Sequence, residues 1–291
     1  MPVGQVIRSH SNIFYVQIGE QTIECRPRGK LRLEKIDVLA GDQVEVTLER
    51  GEGRIDQVLP RQSFLERPAV ANVDQAVVLF TLKEPEADYL FLDRVLVHAA
   101  RAGVDAVVVL NKIDLAEPAE VEAFCRLYGI QAGYPVVPIA AKAGIGVESL
   151  LPLLAARVSV LAGHSGVGKS RLVRTLVPER QDVRVGELSE KMGRGKHTTR
   201  HTELIPLPGG GLLADSPGFT YLEFQDIVKW DLAKFFPEFA PFAPNCRFSD
   251  CLHDKEPDCA VRAAVECDTI ARSRHHSYIA FLREVESLKR W

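Results

Sequence analysis

The sequence predicts a chain of three parts: a small all-β barrel, then an α/β region built on a parallel sheet, then a mainly helical tail that binds metal. Three observations carry this reading. Short runs alternating at period two and broken by Gly fill residues 1–62. Apolar, β-branched runs alternating with helical stretches fill residues 63–222, and four of the six cysteines crowd into residues 246–267. At 46% hydrophobic and 26% charged, the 291 residues can bury one large core or two to three smaller ones.

In the first part Phe14, Val16 and Ile18 alternate, and Val44, Val46 and Leu48 do so after Ala40-Gly41-Asp42, followed by Ile55 and Val58. The loop 26–35 carries Arg26, Arg28, Lys30, Arg32 and Lys35 against Glu34. A module of this size with a basic loop suits an OB-type barrel, whose face and loops bind oligonucleotides. The same text also fits a structural barrel with a solvated loop. We expect an OB-fold RNA-binding domain over residues 1–62.

After Pro60 and Pro68 the candidate strands are 76–81, 106–110, 136–140, 158–162, 203–207 and 212–215. Helices are expected at 90–102, ending before Gly103, and at 118–128, with Pro118 in the first turn and Gly129 just past the end. From about 223 an aromatic, Pro-rich stretch (Phe235, Phe236, Phe239, Phe242) leads to the cysteines and a final helical stretch at about 261–290. The net charge of −3 argues against blanket attraction to nucleic acid, but residues 184–201 form a second basic segment. No apolar run reaches the roughly 18–20 residues that span a bilayer, and no leader-like run opens the chain, so a cytoplasmic protein is expected; a monomer is expected as well.

Gly163-His164-Ser165-Gly166-Val167-Gly168-Lys169-Ser170 fits G-x-x-x-x-G-K-[ST] between an apolar strand and a helical stretch, the context that motif requires. Its backbone N–H groups would cradle phosphates, Lys169 would meet the β- and γ-phosphates, and Ser170 would hold Mg²⁺; Arg171 is grouped with them. Asp215-Ser216-Pro217-Gly218 closes another strand, with Asp215 for Mg²⁺ and the Gly218 N–H for the γ-phosphate. Asn111-Lys112-Ile113-Asp114 ends the strand 106–110. The Asp114 carboxylate can accept both N1–H and N2–H₂ of guanine, a donor pair adenine lacks. Asn111 would tie this motif to the phosphate loop, and the Lys112 stem would lie along the purine. Ala140-Ala141-Lys142 is a fourth element, with the Ala141 N–H toward guanine O6. The base-reading motifs thus precede the phosphate loop, so the central part is expected to be a circularly permuted P-loop GTPase domain. Chain ends that lie close together permit such rearrangement.

With these motifs in place, the whole chain resembles the ribosome small subunit-dependent GTPase A family, on its OB-like start, its permuted motif order, Gly195-Lys196-His197-Thr198-Thr199 and the cysteine cluster. The resemblance implies a GTP hydrolase acting late in small-subunit assembly, with the barrel and zinc region on ribosomal RNA. Ala140 departs from the Ser usual in such GTPases. The resemblance also places the first switch at Thr198 and Thr199. One of these completes the Mg²⁺ shell, and Thr199 is favoured slightly. Phe219 follows Gly218 where many GTPases carry the water-orienting Gln, so hydrolysis should be slow alone. His197 or the partner would then position water.

Cys246, Cys251, His253 and Cys259 read C-x4-C-x-H-x5-C, three thiolates and an imidazole that close a tetrahedral structural zinc site. Cys267, His275 and His276 are alternative ligands, although the family's spacing ends at Cys259. Cys25 and Cys125 read as packing residues. The zinc domain is expected at 223–291 and the GTPase domain at 63–222. A GTP-dependent RNA-binding module with incidental hydrolysis, or a GTPase with another target, would share these motifs.

Overall fold

The computed structural model of the chain describes residues 1–10, 12–29, 31, 36–49, 52–66, 69–178, 203–215, 223–224 and 227–288. The period-two text folds into β1 (Val3–His10), β2 (Ile13–Ile18), β3 (Gln21–Pro27), β4 (Gln43–Glu49) and β5 (Glu52–Val58). These run in the order β1-β2-β3-β5-β4, and β4 pairs back on β1 to close the barrel. Val6, Phe14, Val16, Cys25, Val44, Val46 and Ile55 fill the interior, because alternate side chains of a strand share one face. Leu48 breaks the expected alternation at 50% exposure. It sits next to the last pair of the β4–β5 hairpin, Glu49 with Glu52, beyond the barrel interior.

A short hairpin, β6 (Phe64–Glu66) and β7 (Ala69–Ala71), precedes the central sheet. That sheet contains β8 (Gln75–Phe80), β9 (Asp105–Leu110), β10 (Val136–Pro138), β11 (Val158–Ala162), β12 (Glu203–Pro206) and β13 (Leu212–Asp215). The order is β10-β9-β8-β11-β13-β12, and β8, β9, β10, β11 and β13 are mutually parallel. Their near-continuous burial explains why they read as unbroken apolar runs. β12 is antiparallel to β13 and adds an antiparallel strand to the parallel sheet expected from the alternating pattern. Only residues 207–211 join them, and a parallel crossover needs a dozen residues or more.

Helices cover both faces. α1 (Tyr89–Arg101) and α2 (Pro118–Cys125) pack on one core, and α3 (Leu151–Leu154) and α4 (Lys169–Leu176) on the other. α2 is shorter than its prediction: past Cys125 the chain widens into a π-helical turn, Arg126–Gln131, that runs through Gly129. The final stretch is two helices rather than one, α5 (Ala260–Glu266) and α6 (Arg272–Leu288), separated where Asp268 takes a left-handed backbone with φ 56°.

The barrel and the sheet are continuous. A register shift between Val6 and Arg8 lets the start of β1 pair with β4 while Arg8 pairs with Glu203 of β12. Ile7 and Ala40 join Leu65, Val70 and Val73 in the core under α1. Gly41 (φ 91°) lies so close to this joint that a Cβ there would stand 1.9 Å from Ala71 O. Asp42, 0% exposed, takes both arms of Arg61 at 2.7 and 2.9 Å.

The tail is attached differently. Arg274 of α6, 1% exposed, donates from Nη1 to Asp93 Oδ1 of α1 (2.6 Å) and from Nε and Nη2 to Glu238 (2.6 and 3.1 Å). Tyr128 OH also donates to Asp93 Oδ1 (2.8 Å). Nearby, Arg94 makes a two-armed bond to Glu284 and lies over the rings of Phe224 and Phe281.

Candidate nucleotide and metal sites

The carboxyl ends of parallel strands form the crevice where open α/β sheets take ligands. Four of the sequence motifs end strands at that edge: 111–114 after β9, 140–142 after β10, 163–170 after β11, and Asp215 closing β13. Chain order is irrelevant to this edge, because β8 separates β9 from β11 in space and all three point the same way.

The phosphate-loop sequence turns on glycines that nothing else can replace. Gly163 has φ 141° and a Cβ there would stand 2.5 Å from Leu79 O; at Gly168, φ 101°, it would stand 2.3 Å from Asn111 Nδ2. Asn111 is 3% exposed. Its Nδ2 donates to Val167 O (2.8 Å) and its Oδ1 accepts from Ala141 N (3.0 Å). One side chain therefore joins three of the motifs. Lys169 Nζ donates to Gly163 O and His164 O at 2.7 Å each, which folds the ammonium over its own loop. Ser165 and Gly166 are exposed and Ser170, beside Lys169 at the start of α4, is half-buried. Arg171 Nη2 donates to Lys142 O (3.2 Å) and Thr175 Oγ1 to Ala141 O (3.1 Å), so α4 braces the 140–142 loop.

Asp114 is exposed, in the single turn Ile113–Leu115, and Lys142 is exposed as well. Lys112, left-handed at φ 60°, donates from Nζ to Glu84 O. Ala141 N, expected to face a base, is engaged by Asn111. His197, Thr198, Thr199 and Gly218 lie outside the described residues, as does the side chain of Asp215. Reading the motifs alone missed Glu84 and Asp88 beside the site. Asp88 had a signal, an Asp immediately before the apolar helical stretch that becomes α1.

In the tail, the ligand atoms of Cys246, Cys251, His253 and Cys259 lie within 4.8 Å of one another. Cys246 Sγ stands 3.8 Å from Cys259 Sγ and 3.6 Å from His253 Nδ1, and the latter is 3.4 Å from Cys259 Sγ. With zinc–sulfur bonds of about 2.3 Å a tetrahedral edge is about 3.8 Å, so the donor set fits zinc. His253 is 3% exposed, and His275 Nε2 lies 2.9 Å from its carbonyl. His275 thus supports the cluster and is not a member of it; Cys267 is exposed and lies outside it too. Burial pushes the Cys251 and Cys259 thiols up, so metal binding there must displace protons. Cys25 is buried in the barrel, as expected, and Cys125 is half-buried.

A phosphate loop and a base-reading motif on one sheet edge, with the base motif first in the chain, define a circularly permuted P-loop GTPase fold. Solved structures agree. The crystal structure of YjeQ from Thermotoga maritima superimposes with a TM-score of 0.86 at 37% identity, covering 98% of each chain. That of YloQ, described as a circularly permuted GTPase, gives 0.85 at 34% identity, covering 100% of this chain and 97% of that one. The chain belongs to the RsgA GTPase family: residues 58–225 match the RsgA GTPase family and residues 3–55 the RsgA N-terminal domain. It is 44% identical to the small ribosomal subunit biogenesis GTPase RsgA of Shouchella clausii, over 100% of this chain and 99% of that one. With the protein of the same name from Caldanaerobacter subterraneus subsp. tengcongensis it shares 45% identity over 97% and 95%.

Proposed function

We propose that this protein hydrolyses GTP to GDP and phosphate on the small ribosomal subunit during its assembly. The observation that carries the nucleotide reading is Asn111, which ties the base motif to the phosphate loop at Val167 and to the 140–142 loop in one buried side chain. In this reading the amides of 164–170 hold the phosphates. Lys169 leaves the carbonyls of Gly163 and His164 to meet the β- and γ-phosphates, a movement within reach of its flexible stem. Asp114 accepts from the guanine edge, and the base then covers a carboxylate that is otherwise exposed. Because Ala141 N already donates to Asn111, guanine O6 shares that amide or takes the next one, at Lys142. Ser170, Asp215 and Thr199 would hold Mg²⁺, which neutralises the charge developing on the transferred phosphate. With Phe219 where a Gln could orient water, His197 or the subunit positions the nucleophile.

Cys246, Cys251, His253 and Cys259 would hold one structural zinc; with four protein ligands no position is open for chemistry. The barrel of residues 1–62 and the zinc region of 223–291 flank the GTPase domain of 63–222 and supply the contacts to ribosomal RNA. Among the described residues no helix is long and apolar enough to cross a membrane. The reading places a monomer in the cytoplasm, where its ribosomal target is.

Turnover measured with and without purified small subunits tests the activity. Stimulation by subunits is expected, and equal rates would leave a GTP-dependent RNA-binding module. Asp114→Asn should weaken GTP and favour xanthosine triphosphate, whose C2 carbonyl accepts from an amide; calorimetric titration of both nucleotides decides this. Cys251→Ser should lower zinc content and expose the tail to limited proteolysis while nucleotide affinity stays near that of the parent. Full zinc content in that variant would move the assignment to other donors.

A further inference from the structure

Residues 81–88, between β8 and α1, lie against both the 111–114 and the 163–170 motifs. At one end Glu84 O accepts from Lys112 Nζ. In the middle, Thr81 Oγ1 donates to Pro85 O (3.1 Å), and Pro85 Cδ stands 3.7 Å from where a Cβ on Gly166 would be. At the other end Asp88 does two things. Its Oδ1 accepts from Phe91 N (2.9 Å), capping α1, and its Oδ2 lies 3.1 Å from His164 Nε2. The His164 ring also rests on Phe91, with centroids 3.8 Å apart.

Position 164 is one the phosphate-loop pattern leaves open to any residue. Here its ring is fastened to α1 while its carbonyl is one of the two that hold Lys169 Nζ. The surrounding loop contains Gly163, Gly166 and Gly168, all at positive φ, and such glycines lose more conformational freedom on ordering than any other residue. A side-chain fastening at 164 removes part of that freedom before ligand arrives, which is how preorganisation raises affinity.

We propose that His164 and Asp88 are positioning residues of the nucleotide site: the pair clasps the first turn of the phosphate loop to the start of α1. This rests on residues 163–170 being the phosphate loop. The clasp acts on the phosphates common to both nucleotides, so it raises affinity for GDP and GTP alike.

The test is fluorescence titration of the full chain with labelled GDP and a labelled non-hydrolysable GTP analogue. His164→Ala should weaken both by about three- to fivefold, the range of a partly exposed charged hydrogen bond. His164→Gln, whose amide N–H can donate to Asp88, should recover most of that loss. Asp88→Ser should weaken both nucleotides as His164→Ala does yet melt at the parent's temperature, because Ser caps a helix as well as Asp while its single short hydroxyl, engaged by Phe91 N, no longer reaches His164. The double variant His164→Ala with Asp88→Ser should bind no more weakly than either single one, the signature of a pair. Parent affinity in His164→Ala, or losses that simply add in the double variant, would overturn the clasp. Lys169→Ala separates this from the underlying reading: if that variant also binds as the parent does, the phosphate loop is misassigned and the clasp goes with it.

Discussion

At the barrel joint the fastening is backbone pairing, apolar contact and one ion pair, Arg61 on the buried Asp42, whereas at the tail joint it is a fully buried guanidinium held by two carboxylates. Arg8 of β1 adds a strand pairing to Glu203 of β12, Ala71 N donates to Ala40 O (2.9 Å), and Ile7 and Ala40 sit in the central core. Arg274, Asp93 and Glu238 instead form a charged trio in which all three side chains are almost fully buried. Backbone pairing depends little on which side chain a residue carries, while a desolvated charge depends entirely on its partners. Away from Asp42 and Arg61, the barrel joint should therefore tolerate side-chain change and fail where the backbone is forced, whereas the tail joint should be most sensitive at Arg274.

The largest effect is expected at that residue. Arg274→Ala strands two buried carboxylates and should lower the unfolding free energy by about 3–5 kcal/mol, read by urea denaturation with tryptophan fluorescence. Arg274→Met combined with Asp93→Asn and Glu238→Gln should recover most of it, since no charge is then stranded. A small loss in the single variant would mean that water reaches the trio.

Next comes Gly41→Ala, which attacks the barrel joint through its backbone. The left-handed φ of 91° and the approach to Ala71 O together should cost about 2–3 kcal/mol, seen as a lowered melting temperature. An unchanged melting temperature would show that the 71–72 segment can yield. Smaller still is Arg94→Ala. Its bond to Glu284 is two-armed but partly exposed, so about 1 kcal/mol is expected, including the lost cover over Phe224 and Phe281.

The smallest perturbation is chemical labelling, which leaves stability alone and reports which joint has opened. Burial, with Glu24 nearby, pushes the Cys25 thiol up to about 11, so at about pH 8 very little thiolate is present inside the barrel. Iodoacetamide should therefore modify the exposed Cys267 first, as followed by mass spectrometry. Gly41→Ala should speed labelling of Cys25, and Arg274→Ala should not. Equal acceleration by both would mean that the two joints are coupled through the sheet.

Much of the site was legible because its residues are neighbours in sequence. Val158–Ala162 and Leu212–Asp215 were predicted with the ends the structure has, since a strand buried on both faces reads as an unbroken apolar run. Asn111, Gly163 and Gly168 carry their meaning in a fixed local pattern, and their contacts follow from it. The departures are equally specific. The helix predicted through 128 ignored the option of a wider turn, which Gly129 permits. The final stretch hid its break because residues 267–271 contain neither Pro nor Gly. The antiparallel β12 could have been recognised from the short 207–211 connection.

Composition, motif order and spacing by themselves determined the barrel–sheet–tail sequence, the order of the phosphate-loop and base motif sequences, and the four Cys and His that cluster as a set able to hold a metal, because each is written in residues a few positions apart. Only the tertiary structure decided that β1 would bend at Val6–Arg8 to join two sheets, that Asp88 would meet His164, and that Arg274 would be buried. The reason is one of distance and solvation. Arg274 and Asp93 are separated by 181 residues, and between Ser273 and His275 on a polar helix an Arg reads as solvated. Its attraction to Asp93 becomes decisive only once folding has removed water from both, and no local pattern records that.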